Sequence, residues 1–250
     1  MIKGTLYGIG VGPGDPELLT LKAIKAIHDC DVLTVPDSSA ENKIARSIVH
    51  EYIVTKTVLH LELPMTCDKF ELKKSREIAA DTICAKLDTG KSVGFLTLGD
   101  PMLYSTYSYL HKLITARGYP AIVIPGVTSF CAAAAALGEP LCEGGESLHI
   151  IPALYDNIEN ILSLDGTKVL MKSGSKLIDI VNHLKEKEIE AKMAQRVSMD
   201  GERLYRDLSG DMDTDYFSIL IVKDKGTGSL SCCSNVAASP PRVPPTEPDD

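Results

Sequence analysis

Strand-like and helix-like segments alternate along most of this chain, and this alternation restricts its possible folds more than any other feature. Four apolar, strand-like runs (LYGIGV, DVLTV, TVLHLEL and SVGFLTL) are separated by helix-like runs over residues 16–30, 41–51 and 68–88. A helical pattern over residues 102–117 and the short strand AIVIPG follow. Strands that are separated by helices usually pair in parallel, because the chain crosses back over the sheet. The pattern predicts an α/β fold with a mainly parallel first sheet.

The second half also alternates, but short turns join its last three strands. The small-residue helix in PGVTSFCAAAAALGEPL is followed by strand SLHIIPA, a helix near 156–164, strand KVLM and a helix over 175–188. The strand-like runs AKMAQRVSM, RLYRDL and YFSILIVKD are separated by MDGE and SGDMDTD, which favour antiparallel hairpins. We therefore predict a second α/β unit with a mixed sheet.

The two patterns set the domain boundaries that we expect. An N-terminal α/β domain covers residues 1–118, and a C-terminal α/β domain covers residues 119–225. From residue 226 the chain consists of small polar residues, prolines and a terminal acidic pair, with almost nothing to bury. We expect residues 226–250 to be a disordered, non-native tail.

Composition limits the class of protein and its location. A hydrophobic content of 44% predicts a substantial core, and a net charge of −8 argues against a protein that coats nucleic acid. Neither a secretory leader nor an apolar run of about 18 residues is seen, so we expect no membrane span. Seven cysteines without a CxxC pair indicate a reduced, cytoplasmic protein. The six histidines lack metal-ligand spacing, so no protein-bound metal is expected.

Residues 8–15, GIGVGPGD, place four glycines at alternating positions between the first strand and the first helix-like run. A dinucleotide fingerprint GxGxxG fails in both frames, since Pro13 and Asp15 stand where the third glycine is required. A P-loop fails because no lysine follows before Lys22. Asp15 with Pro16 is typical of a capped helix start, so a tight turn is the structural alternative. The number of glycines favours a bare backbone surface against which a ligand lies.

Two further motifs follow predicted strands. TLGDPMLYST, residues 97–106, puts Gly-Asp-Pro at the carboxyl end of SVGFLTL, where α/β sheets carry their ligand sites. Asp100 with Pro101 would cap the next helix, which leaves the three hydroxyl residues that follow unexplained. IPGVTSFCAAAA also ends in hydroxyl residues before a small-residue helix, and a simple turn is its structural alternative.

In order and spacing, YGIGVGPGDPELLTLKA, GDPMLYST and PGVTS resemble the tetrapyrrole methyltransferases, also called class III S-adenosylmethionine-dependent methyltransferases. The resemblance covers residues 1 to about 224. It implies two α/β domains with an active-site cleft between them, a homodimer, S-adenosylmethionine as methyl donor and S-adenosylhomocysteine as product. The Tyr-Ser-Thr run after GDP, with Val35 and Pro36 ending the second strand, is most similar to family members that methylate C20 of precorrin-2, with or without cobalt, in cobalamin biosynthesis.

The resemblance also implies which residues contact the ligands. The positions that match the family's donor contacts are Pro13, Leu98, Gly99, Asp100, Leu103, Ser105, Thr106, Thr128, Ser129, Met171 and Gly201. The carboxylates of the tetrapyrrole substrate require basic partners, for which Lys43, Arg46 and Lys172 are candidates. Gly10, Gly12 and Ser38 are further candidate contacts of the substrate. One branch of the family has an aspartate where Pro36 stands, so no acid–base residue transfers. Asp37 and Tyr104 are the remaining catalytic candidates.

Three alternatives stay open on the sequence alone. The first is a methyltransferase of this fold that acts on another tetrapyrrole carbon. The second acts on ribosomal RNA or on a translation factor, although the absence of tryptophan disfavours base stacking. The third is a non-enzymatic nucleotide-binding module, which the failed glycine spacing disfavours.

Overall fold

A computed structural model describes residues 3–36, 40–64, 66, 68–155, 157–210 and 212–224. The predicted tail over residues 226–250 lies outside the described residues, as do the candidates Asp37 and Ser38.

The described chain alternates between strands and helices as the sequence predicts. The strands are β1 (Leu6–Gly10), β2 (Val32–Pro36), β3 (Thr57–Leu61), β4 (Val93–Thr97), β5 (Ala121–Ile124), β6 (Leu148–Pro152), β7 (Thr167–Met171), β8 (Ala191–Gln195), β9 (Arg203–Tyr205) and β10 (Ser218–Val222). The α-helices are α1 (Leu21–Asp29), α2 (Ala40–Ile48), α3 (His50–Ile53), α4 (Lys69–Leu87), α5 (Tyr107–Ala116), α6 (Ser129–Leu137), α7 (Ile158–Leu162) and α8 (Leu177–Glu186).

The first sheet is parallel and has the strand order β3-β2-β4-β1-β5. This confirms the predicted α/β fold. Because the chain returns through α5 to the free side of β1, β5 joins this sheet, although the expected boundary after residue 118 had left it in the second unit. The connection after β1 passes over β4, and the connection after β4 passes over β1. The sheet therefore has a topological switch point between β4 and β1, where α/β proteins commonly bind ligands.

The second sheet is mixed and has the strand order β6-β7-β10-β8-β9. β6 and β7 are parallel, whereas β10 is antiparallel to both β7 and β8, and β8 is antiparallel to β9. This confirms the predicted mixed sheet and the antiparallel hairpin of β8 and β9. The hairpin expected between the last two strands is wrong, because β10 lies between β7 and β8.

Helices cover both faces of each sheet. On the first sheet, Ile27 of α1 and Ile48 of α2 are buried on one face, and Leu87 of α4 and Leu110 of α5 on the other. On the second sheet, α7 and α8 cover one face, and α6 packs its alanines against β8 and β10 on the other. Small side chains let α6 lie close to the strands. Among the described helices, none combines the length and apolar character that a bilayer crossing requires.

The first helix starts later than the sequence predicts. Asp15 caps a 3-10 turn over Pro16–Leu18, where its carboxylate accepts a hydrogen bond from the Glu17 amide at 2.8 Å. The α-helix α1 begins only at Leu21, and its cap is Thr20, whose hydroxyl oxygen accepts from an amide in the first turn. The prediction of one helix from residue 16 is therefore wrong.

Candidate active site

The glycines of GIGVGPGD pack against other parts of the chain, so the predicted bare surface is wrong. A Cβ atom on Gly8 would lie 2.1 Å from the ring of Tyr107, which is fully buried. A Cβ atom on Gly10 would lie 2.5 Å from the amide nitrogen of Gly126 and 2.7 Å from the carbonyl oxygen of Gly99. Real Cβ atoms do not approach other atoms this closely, and neither the buried ring nor the backbone can easily move away, so both positions require glycine.

The other two glycines of this loop also have structural roles. Gly12 has a φ of 79° and accepts a hydrogen bond of 2.7 Å from the Gly99 amide, which joins the first loop to the GDP motif. A Cβ atom on Gly14 would lie 2.4 Å from the carbonyl oxygen of Ser198. Gly10 and Gly12, predicted as substrate contacts, instead pack against or bond to the loops that carry Gly99 and Gly126. Neither lines the cleft described below.

Asp100 of the GDP motif connects two loops instead of capping a helix. One carboxylate oxygen accepts a hydrogen bond from the Met102 amide at 2.8 Å, and the other accepts from the Gly126 amide at 3.1 Å. The helix that follows begins only at Tyr107, so the prediction that Asp100 and Pro101 start it is wrong. The carboxylate instead fixes the loop after β4 to the loop after β5.

A cleft opens at this switch point, between the carboxyl ends of the first sheet and the loops of the second. It contains about 940 Å³ of empty space, part of it open to solvent. The predicted donor contacts that line it are Pro13, Leu98, Gly99, Asp100, Leu103, Ser105, Thr106, Thr128, Ser129 and Met171. Tyr104 and Lys172, predicted for catalysis and substrate binding, also line it.

Three predicted residues lie elsewhere. Gly201, with a φ of 78°, lies in a turn beside Arg196 and lines a separate depression. Lys43 and Arg46 are exposed on α2 and do not line the cleft.

Sequence reasoning missed several residues of the cleft. Among them are Glu41, Thr97, Val197, Met199 and residues 216–219, which run into the last strand. Thr97 is the first residue of the TLGDPMLYST motif, so a signal for it was available. The others come from distant segments without a motif, so only the packing of the two sheets brings them to the site.

Two threonine hydroxyls in the cleft have no hydrogen-bond partner among the residues that the structure describes. The Oγ1 atoms of Thr97 and Thr128 are buried and unpartnered within the described residues. Thr128 occupies the N-cap position of α6, yet its side chain does not cap the helix. Buried hydroxyls without partners are rare and cost stability, so they point to a ligand that bonds to them.

Backbone strain is concentrated around the cleft. Tyr104 and Lys172, which line it, have φ values of 48° and 54°, and Arg196 and Ser198, which flank its lining residue Val197, have values of 51° and 63°. Such conformations cost about 1–3 kcal/mol for residues other than glycine and cluster at functional sites.

Polar side chains join the two halves of the protein across the cleft. The Tyr216 hydroxyl donates a hydrogen bond of 2.8 Å to Glu41, and burial together with this carboxylate raises the pKa of Tyr216. The Lys172 ammonium lies 3.6 Å from the same Glu41 oxygen and donates to the Tyr104 carbonyl at 3.2 Å. The Tyr104 hydroxyl donates to the carbonyl of Ile150 at 2.9 Å.

The fold and the cleft together are typical of α/β proteins that bind a small organic molecule. The cleft lies at a switch point of the parallel sheet, and Gly99 contributes backbone to its wall. Loops of the second sheet form the opposite wall.

The chain belongs to the tetrapyrrole (corrin/porphyrin) methylases, and is therefore a methyltransferase. The sequence model of that family matches residues 5–213. This confirms the resemblance that the three motifs indicated.

Two relatives match over nearly their whole length. The probable cobalt-precorrin-2 C(20)-methyltransferase of Methanocaldococcus jannaschii is 35% identical over 224 residues, which cover 87% of this chain and 95% of the relative. The cobalt-precorrin-2 C(20)-methyltransferase of Salmonella typhimurium is 33% identical, covering 88% and 97%. The structure of uroporphyrin-III C-methyltransferase from Thermus thermophilus, complexed with S-adenosylhomocysteine, has a TM-score of 0.67 at 20% identity and covers 88% of this chain and 98% of that one. The last similarity concerns the fold alone.

Proposed function

We propose that this protein transfers a methyl group from S-adenosylmethionine to C20 of precorrin-2 or cobalt-precorrin-2, in cobalamin biosynthesis. One observation carries the proposal: three loops that are far apart in sequence meet in one cleft, at a switch point of the sheet. The C20 position is supported by the two relatives with this name, which match along most of the chain.

The cleft has the groups that S-adenosylmethionine requires. Thr97 and Thr128 offer hydroxyls that have no partner among the described residues. The Asp100 carboxylate connects the loop after Thr97 to the loop before Thr128. Leu103 and Met171 supply an apolar wall for an adenine ring, and Gly99 lines the cleft without a side chain. When bound, the donor supplies a methyl group on a positively charged sulfur.

The residues of the cleft contribute orientation and exclusion of water. The reduced macrocycle supplies the carbon nucleophile, so the protein has to align the two reactants and exclude water. The Tyr104 hydroxyl already donates to Ile150, while its side chain is 45% exposed. We therefore assign Tyr104 to steering the macrocycle with its ring, and no residue to acid–base catalysis.

Lys172 is the basic residue that we assign to the substrate carboxylates. It lines the cleft, whereas Lys43 and Arg46 are exposed on α2 and do not. A cytoplasmic homodimer is also part of the proposal, because the family resemblance implies a dimer and the cysteine pattern fits a reducing compartment. Sedimentation analysis of the purified chain tests the dimer.

Replacing either cleft threonine by valine is expected to weaken binding of S-adenosylhomocysteine by about fivefold, because one hydrogen bond is lost. The free energy of unfolding without ligand is expected to stay the same or rise, since valine removes a buried hydroxyl that has no partner. Calorimetric titration of Thr97→Val and Thr128→Val measures the first effect, and urea denaturation the second.

Thr34→Val is the matched control for these variants. Thr34 is fully buried in β2, and its hydroxyl also has no partner among the described residues, but it does not line the cleft. We expect its affinity for S-adenosylhomocysteine to equal that of the wild type. Unchanged affinity in both cleft variants would refute this donor site.

The function itself is tested by incubation with precorrin-2 and isotopically labelled donor, with and without cobalt. We expect a mass increase of one methyl group and a carbon NMR signal at C20. A product methylated at another carbon would support the alternative within the family, and no methylated product in either condition would overturn the proposal.

A further inference from the structure

Glu41 is a carboxylate that lines a cleft for which we propose an anionic substrate. It lies in the first turn of α2, beside the first sheet, and its contacts come from the second half of the chain. Lys172 directly follows β7, and Tyr216 precedes β10. Both interact with the same oxygen atom, Oε1, at 3.6 Å and 2.8 Å.

The position of Glu41 is fixed by its helix. Ala45 and Ile48 of α2 are buried in the core of the first sheet, which anchors the helix. A carboxylate in the first turn also interacts favourably with the helix dipole. The negative charge is therefore held at the cleft in the protein without ligand.

The contact between Glu41 and Lys172 is one that a ligand can replace. Their side chains are 31% and 29% exposed, and ion pairs in contact with water contribute little to stability. The Lys172 ammonium has three donors, of which one is used by the Tyr104 carbonyl. A substrate carboxylate can therefore take the place of Glu41 while the bond to Tyr104 is kept.

We propose that Glu41 is a specificity-determining residue that occupies, in the free protein, the place of a substrate carboxylate at Lys172. This inference rests on the proposed function, because it requires an anionic substrate. The substrate has to displace an internal competitor, and only a ligand with a carboxylate near Lys172 restores the charge balance of that lysine. Glu41 thus lowers the affinity for every ligand that has to displace it from Lys172, and a ligand with a correctly placed carboxylate regains the lost ion pair.

The experiment measures binding of precorrin-2 by equilibrium dialysis, without oxygen and with S-adenosylhomocysteine in place of the donor. Glu41→Gln retains an oxygen that accepts from Tyr216 but removes the charge. We expect it to bind precorrin-2 about threefold to tenfold more tightly than the wild type, and Lys172→Gln to bind more weakly by a similar factor. In the Lys172→Gln background, Glu41→Gln is expected to have no effect.

Glu71→Gln is the matched control, because Glu71 also lies in the first turn of a helix, α4, but does not line the cleft. Its affinity is expected to stay at the wild-type value. If Glu41→Gln does not fold, Glu41→Asp replaces it, since the shorter side chain keeps the charge but moves it away from Lys172, and tighter binding is again expected.

Unchanged or weaker binding by the folded Glu41 variant, while the wild type binds precorrin-2, would overturn the inference and leave the proposed function intact. Failure of the wild type to bind precorrin-2 would overturn both, and this result is visible without any variant.

Discussion

Gly10→Ala is expected to destabilise the protein by about 3 kcal/mol or more, which is a large part of the stability of a typical domain. The added methyl group would lie 2.5 Å from the Gly126 amide nitrogen and 2.7 Å from the Gly99 carbonyl oxygen. These atoms belong to the backbone, so no change of side-chain conformation relieves the contact. Urea denaturation followed by circular dichroism measures the effect.

Gly145→Ala is the control for this variant. Apart from its two chain neighbours, no described residue has an atom within 4 Å of a Cβ atom at Gly145, so the free energy of unfolding is expected to change by less than about 0.5 kcal/mol. If Gly10→Ala instead kept the wild-type stability and lost only ligand binding, the glycine would serve the ligand after all, as the sequence alone suggested.

Asp224→Asn is expected to cost about 3 kcal/mol of stability, because it leaves a buried ammonium group without an anion. Lys168 is 1% exposed within the second sheet, and its ammonium pairs with the Asp224 carboxylate. We place the expected cost at the low end of values for buried pairs, since Asp224 itself is 34% exposed. Denaturation by urea at neutral pH provides the measurement.

Lys168→Met combined with Asp224→Asn is the informative second variant. Because it removes the buried charge along with its partner, its stability is expected to return to near the wild-type value. A double variant as unstable as Asp224→Asn would show that the loss came from packing and not from the unpaired charge.

The same pair predicts a dependence of stability on pH. Burial raises the pKa of the Asp224 carboxyl, but hydrogen bonds from Lys168 and Gly166 outweigh it and hold that pKa below its usual value. A lowered pKa in the folded state contributes stability above the unfolded value of about 3.9, and this contribution disappears as the pH falls through the folded value. Asp224→Asn is expected to lose this part of the acid dependence.

The sequence predicts the elements of this fold well where local information suffices. Apolar runs located the strands, and the turn at MDGE correctly indicated the antiparallel pair of β8 and β9. The hairpin expected at SGDMDTD is wrong, because β10 lies between β7 and β8 instead of beside β9. Helix starts were predicted less well. Asp100 has the local pattern of a cap, but its carboxylate bonds to the Gly126 amide, 26 residues away, and no local pattern reveals that contact.

Only the part of the candidate site that lies within sequence motifs was predictable. The loops at residues 13, 98–106 and 128–129 were found from their motifs, and the structure brings them together. Glu41 and Tyr216 are 175 residues apart, and neither belongs to a motif, so their hydrogen bond depends on how the two sheets pack. The glycines were misinterpreted because a small residue leaves room equally for a ligand and for the protein's own backbone.

The contact of Gly10, Gly99 and Gly126 has a consequence for directed evolution of this enzyme. A Cβ atom at Gly10 or Gly126 would collide with backbone, and Gly99 has a φ of 69°, which side chains rarely adopt, so none of the three positions suits a mutant library. New substrate preferences have to be sought among side chains on the opposite wall, such as Met171, Lys172 and Tyr216. A library restricted to that wall would sample altered recognition while sparing the turns on which folding depends.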